Sequence, residues 1–136
     1  MADVAHRLAE HHRHCEALFS AARAAAGAGA WNTLDACVEA LREGLLAHFS
    51  HEEQRIFPLY EAAIGEEGAT ESLCAAHDDM RAALWVLASF SAAADPGRYC
   101  AELTALNAAF DAHAADEEQR MYPAFERLLM PGPARA

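Results

Sequence analysis

Two glutamates that each follow a histidine by four residues are the groups best placed to do chemistry: Glu52 after His48, and Glu117 after His113. Residues four apart on a helix share a face, one turn apart. Each pair therefore aims an imidazole and a carboxylate at one point, which can be water, a salt bridge or a metal. The pairs sit in two related stretches, His48-Phe49-Ser50-His51-Glu52-Glu53-Gln54-Arg55-Ile56-Phe57-Pro58 and His113-Ala114-Ala115-Asp116-Glu117-Glu118-Gln119-Arg120-Met121-Tyr122-Pro123, offset by 65 residues.

The elements that must position these pairs are four helical patterns, with no competing strand pattern. The first runs from about Asp3 to Ala26 with the apolar stripe Val4, Leu8, Cys15, Leu18/Phe19 and Ala22, and ends at Gly27-Ala28-Gly29. The second carries Leu34, Val38, Leu41, Leu45, Ile56 and Leu59, with Asn32 or Thr33 able to cap it. After Gly65-Glu66-Glu67-Gly68, with Thr70 as a cap, the third carries Leu73, Met80, Leu84, Leu87 and Phe90. Ala94-Asp95-Pro96-Gly97 precedes the fourth, with Leu103, Leu106, Phe110, Met121, Phe125 and Leu128, and Pro131-Gly132-Pro133 stops it. Short breaks between long helices make antiparallel neighbours, so the expected fold is all-α, an up-down-up-down four-helix bundle. Pro58 and Pro123 should kink or end their helices, and Trp31 and Trp85 read as packing residues.

Histidine and glutamate fill the gaps in these stripes. Leu45 and Ile56 bracket His48 and Glu52, Phe110 and Met121 bracket His113 and Glu117, and Leu73 and Met80 bracket His77. The first helix offers His6, His11, His12 and His14. The offset of 65 chooses among them: His12 falls on His77, Cys15 on Met80, Phe19 on Leu84, while His11 falls on Ala76 and His14 on Asp79. The chain is thus read as a duplicated helical hairpin. At ~1.5 Å rise per residue, His12, His48, Glu52, His77, His113 and Glu117 share one level of the bundle.

Two carboxylates in an apolar core cost several kcal/mol each unless something positive compensates them. No arginine stands in the stripes at that level, since Arg55 and Arg120 come one position before core positions. Four imidazoles and two carboxylates are too many ligands for one tetrahedral zinc and suit two ions of the iron or manganese type. If each ion takes two histidines and both glutamates bridge, an oxo or hydroxo bridge leaves one open position per ion. The ferritin-type E-x-x-H and the zincin H-E-x-x-H are both absent from the core positions. The remaining histidines, His6, His11, His14 and His51, read as surface groups or as neighbours of the ligands. Glu53, Glu118, Gln54 and Gln119 fall on flanking faces, where they can orient a ligand imidazole.

Size and charge narrow the class further. At 136 residues the chain reads as one domain over residues 1–130 with a short tail at 131–136. Every basic residue is arginine and the net charge is −11, which argues against nucleic acid and anionic membrane surfaces as partners. No apolar run reaches the roughly 18–20 residues of a membrane span. Met1–His6 has no export-signal pattern, so the expected location is cytoplasmic, with Cys15, Cys37, Cys74 and Cys100 as free thiols. A monomer or weak homo-oligomer is expected.

The series His12, His48/Glu52, His77, His113/Glu117 resembles the hemerythrin-like (HHE cation-binding) domain family from about Ala9 to Leu129. The strongest local match is His48-Phe49-Ser50-His51-Glu52-Glu53, and His12-Arg13 followed by Leu18-Phe19 is similar to the first-helix signature of bacterial members. The resemblance implies a non-haem centre of two iron ions, bridged by the carboxylates, that binds or reacts with oxygen, nitric oxide or peroxide. Sensing, scavenging and stress response are the roles it suggests; a di-iron oxidase, peroxidase or nitric-oxide-reducing enzyme, or an iron storage or repair module, are the alternatives. Oxygen-carrying members have a fifth histidine where this chain has Leu73, and an aspartate five residues after the last histidine where this chain has Glu117 four after. The four-His, two-Glu set is closer to that of the repair-of-iron-centres proteins.

Overall fold

The computed structural model describes residues 2–129, and its backbone is helical almost throughout. Helices α1 (Ala2–Gly27), α2 (Trp31–His51), α3 (Phe57–Ile64), α4 (Glu71–Ala88) and α5 (Pro96–Leu129) follow in order, with a π-helical turn, Glu52–Ile56, joining α2 to α3. The second rod is thus α2, the π turn and α3 in succession, which gives four rods and the expected all-α bundle. Rod one packs on α2 and α5, and α4 packs on α5 and α2.

The ends of the rods depart from the sequence expectations in instructive ways. Helix α2 begins at Trp31 after Ala30, with no side-chain cap, so neither Asn32 nor Thr33 caps it. Thr70 precedes α4 but makes no capping bond. Its hydroxyl and its backbone N–H both donate to Glu61 Oε2, at 2.7 and 3.0 Å, tying the end of α3 to the start of α4. Asp95 instead caps α5, accepting from the Arg98 N–H at 3.2 Å. Pro96 at the first helical position loses no bond there.

Neither internal proline ends its rod. Pro58 lacks the N–H that the ladder needs, and the turn before it is widened so that the Phe57 N–H bonds to the Glu52 carbonyl, five residues back. Pro123 lies inside α5, which continues to Leu129. The expected stop at Pro131-Gly132-Pro133, the 131–136 tail and the Leu128 side chain lie outside what the structure describes. Trp85 is 79% exposed and does not pack in the core. It stands one residue, about 100° of helix, past the buried Leu84. Trp31 is half-buried against the core as expected, whereas Phe90 lies beyond the end of α4 and packs edge-on against Tyr99.

The apolar interior is in two parts. One cluster includes Phe19, Leu34, Leu41, Leu45, Phe49 and Phe110, and reaches toward the loop end of α1 and α2. The other gathers Leu8, Ile56, Phe57, Leu73, Met121 and Phe125. Between them lies a layer of buried polar residues.

Candidate metal centre

His12, His48, Glu52, His77, His113 and Glu117 make up that layer, and each is 4% exposed or less. Regular helical spacing explains why. His48 continues the buried face of Leu41 and Leu45, and His77 lies between the buried Leu73 and Met80. All six residues singled out in the sequence therefore meet in one place, from all four rods.

Their ligand atoms face one another. His12 Nε2 lies 3.1 Å from Glu117 Oε1, and His113 Nε2 lies 3.2 Å from the same oxygen. His48 Nε2 and His77 Nε2 lie 3.2 and 3.0 Å from Glu52 Oε1. His77 Nε2 and His113 Nε2 are only 2.9 Å apart. These atoms form two overlapping groups, His12, His48, Glu52 and Glu117, and Glu52, His77, His113 and Glu117, with the atoms of each group within 4.8 Å of one another. Both glutamates belong to both groups.

The outward-facing ring nitrogens say which inward nitrogens are lone pairs. His77 Nδ1–H donates to Glu53 Oε2 at 2.7 Å, and Arg81 clamps that carboxylate through both oxygens at 2.9 Å. His12 Nδ1 lies 3.2 Å from Glu118 Oε1 and 3.2 Å from the Tyr122 hydroxyl. With a proton on each Nδ1, a neutral ring presents a bare Nε2 to a carboxylate oxygen, which is also an acceptor. Acceptor facing acceptor in a dry layer calls for protons or cations between them. Four buried atoms in or beside the layer have no hydrogen-bond partner among the described residues: His48 Nε2, Glu52 Oε2, Glu117 Oε2 and His113 Nδ1. His48 Nε2 is close to Glu52 Oε1 but not aligned for a hydrogen bond. Orphaned imidazole and carboxylate atoms of this kind fit a bound cation.

Titration in the metal-free layer follows the same geometry. Burial, with the Glu117 carboxylate close by, pushes Glu52 well above the ordinary carboxylate range. Burial works the same way on Glu117, but bonds from Glu52, His113 and His12 outweigh it and hold that carboxyl below its usual range. Burial holds His48 down to about 3, so its ring stays neutral, and burial also lowers His77. Burial opposes charge on His12 too, yet Glu117 and Glu118 overcome it and raise its pKa.

The surroundings repeat the duplication. Glu53 of the first copy supports His77 of the second, and Glu118 of the second supports His12 of the first. Phe57 stacks on His77 with centroids 5.3 Å apart, and Tyr122, its counterpart at the offset of 65, stacks on His12 at 6.2 Å. The symmetry fails at one pair. His48 Nδ1 lies 3.3 Å from His11 Nδ1, but the counterpart of His11 is Ala76, which leaves His113 Nδ1 without a partner. Arg81 and Tyr122 carry no signal of their own in the sequence, although the position of Tyr122 opposite Phe57 in the repeat could have drawn notice. Among the other histidines, His6 pairs with Glu10 at the surface, and His11, His14 and His51 are exposed. All four cysteines are free, with Cys15 buried one turn from His12.

This layer, set across four antiparallel rods with one imidazole from each rod and two carboxylates between them, defines a cation-binding helical bundle. The chain matches the hemerythrin HHE cation binding domain over residues 3–125, and it belongs to that family. No curated protein and no solved structure gave a match. Among the described residues, no helix is long and apolar enough to cross a membrane.

Proposed function

We propose that the layer is a non-haem di-iron centre that binds or reacts with a small oxidant or diatomic: oxygen, nitric oxide or peroxide. His12 and His48 would hold one ion and His77 and His113 the other, with Glu52 and Glu117 available to both. The observation that carries this reading is the pair of four-residue groups sharing both carboxylates. Imidazole with carboxylate suits iron or manganese rather than a thiolate-loving ion, and family membership supports iron. Such a centre supplies redox chemistry and open coordination positions to a small ligand.

The chain's own part is to hold, orient and keep dry. Glu53 and Glu118 fix the protons of His77 and His12 on Nδ1, which aims their Nε2 lone pairs inward. Phe49, stacked on His77 with centroids 4.3 Å apart, and the buried Leu73 and Leu8 close the layer to water above and below. Leu73 adds no further imidazole, so the ligand set stays at four histidines.

The test is optical. Iron-loaded, reduced protein is exposed separately to oxygen, nitric oxide and peroxide. A spectral change with at least one of the three is expected, reversible for a sensor or carrier and consuming the reagent over repeated additions for an enzyme. A spectrum unmoved by all three leaves a structural metal bundle and overturns the proposal.

A further inference from the structure

Three histidines outside the layer border one opening. His11 and His14 stand three apart on α1, hence on neighbouring turns of one face, and His51 closes α2 opposite them, with its ring centroid 6.0 Å from that of His11. They border a cleft of about 400 Å³ between α1 and α2, along with Gly44, Ala47 and His48. Gly44 and Ala47 leave the α2 face low there. His11, His14 and His51 are exposed while His48 is buried, so the first three form the rim and His48 the floor. A member of the buried layer, His48, thus borders this cleft.

The cluster is also unpaired by the duplication. At the offset of 65 the three rim histidines become Ala76, Asp79 and Asp116. The second copy therefore has no equivalent, and the trio is not a by-product of the repeat. His11 touches both places: its ring is 5.4 Å from that of His48, with Nδ1 atoms 3.3 Å apart.

We propose that His11, His14 and His51 form a second cation site, a docking point for a divalent first-row transition ion, through which the buried layer is loaded. The inference rests on the layer being a metal centre. Neutral imidazoles are good ligands for Fe²⁺, Co²⁺, Ni²⁺ and Zn²⁺, and no arginine borders the cleft to repel the ion. A hydrated ion has no direct way into six residues this well buried. At the rim each imidazole nitrogen displaces one water from the ion, with no change of oxidation state. His48, at the floor, then replaces a rim ligand in the same kind of exchange.

The experiment compares full-length metal-free protein with the double variant His14→Gln, His51→Gln, which leaves His11 in place beside the layer ligand His48, using Co²⁺ as the probe. Both positions are exposed, and glutamine is a good helix former, so the fold is retained; circular dichroism checks it. Equilibrium dialysis should show an additional, weaker ion in the wild type that the variant lacks. Stopped-flow absorption should show the variant reaching the same final layer occupancy at least about tenfold more slowly, the scale of a lost local concentration effect. Equal loading rates would overturn the port, even if the extra ion were lost. If neither protein takes up tightly held ions, the metal-centre reading fails and the port with it, an outcome distinct from fast and equal loading of both.

Discussion

At the scale of single residues, what makes the layer a metal site is the arrangement of protons. Glu53 accepts a hydrogen bond from the His77 Nδ1–H and is itself fixed by Arg81, so Glu53→Gln should weaken cation affinity by about 10–100-fold. Isothermal titration of the variant with Co²⁺ checks this, and Glu118→Gln should act on His12 in the same direction. The raised pKa values of Glu52 and His12 predict proton release when a cation enters. Both groups hold protons in the metal-free layer up to a higher pH than they would in water. A cation must displace those protons, so its affinity rises with pH until both groups are deprotonated and falls as pH drops through their raised pKa values. Titrations at one pH in buffers of different ionisation enthalpy should give different apparent heats; identical heats would mean that no proton leaves. The burial of Cys15, which pushes its thiol up to about 11, makes it the slowest of the four cysteines to alkylate at pH 8, as peptide mapping would show.

At the scale of elements, the rods were legible because the apolar stripes hold helical spacing across the polar layer, and because the offset of 65 aligned one hairpin with the other. That alignment singled out His12 from four candidates, and the structure puts His12 in the layer and His11 and His14 at the surface. The ends were less legible. Thr70 carries a capping side chain, but a glutamate on another helix takes its hydroxyl, a competition no local pattern contains. Pro58 signalled an interruption without saying that a widened turn would absorb it. Arg81 could not be placed, because its role depends on how α4 sits against α2. The turn between α3 and α4 gives a test at this scale. Gly65 has φ 69°, with open space where a Cβ would stand, so Gly65→Ala should destabilise by about 1–2 kcal/mol through backbone strain alone. Gly97, in the first turn of α5 and equally open without a positive φ, should gain about 0.4–1 kcal/mol as Gly97→Ala. Chemical denaturation of both variants separates backbone conformation from packing.

At the scale of the whole molecule, the bundle is two apolar clusters held apart by a polar layer that only positive charge makes comfortable. Cation binding and folding stability are therefore linked: whatever binds the native layer and not the unfolded chain stabilises the fold. The metal-free protein should melt at a lower temperature than the loaded one, and a chelator should move the second toward the first. The most direct measurement of the central claim is the metal content of protein purified from iron-replete cells, beside that of the His77→Ala variant. The account predicts about two iron ions per chain in the wild type, by the ligand count of a two-metal layer, and a large loss in the variant while helix content persists. Wild-type protein holding well under that amount, or a His77→Ala variant that keeps its full complement, would contradict it.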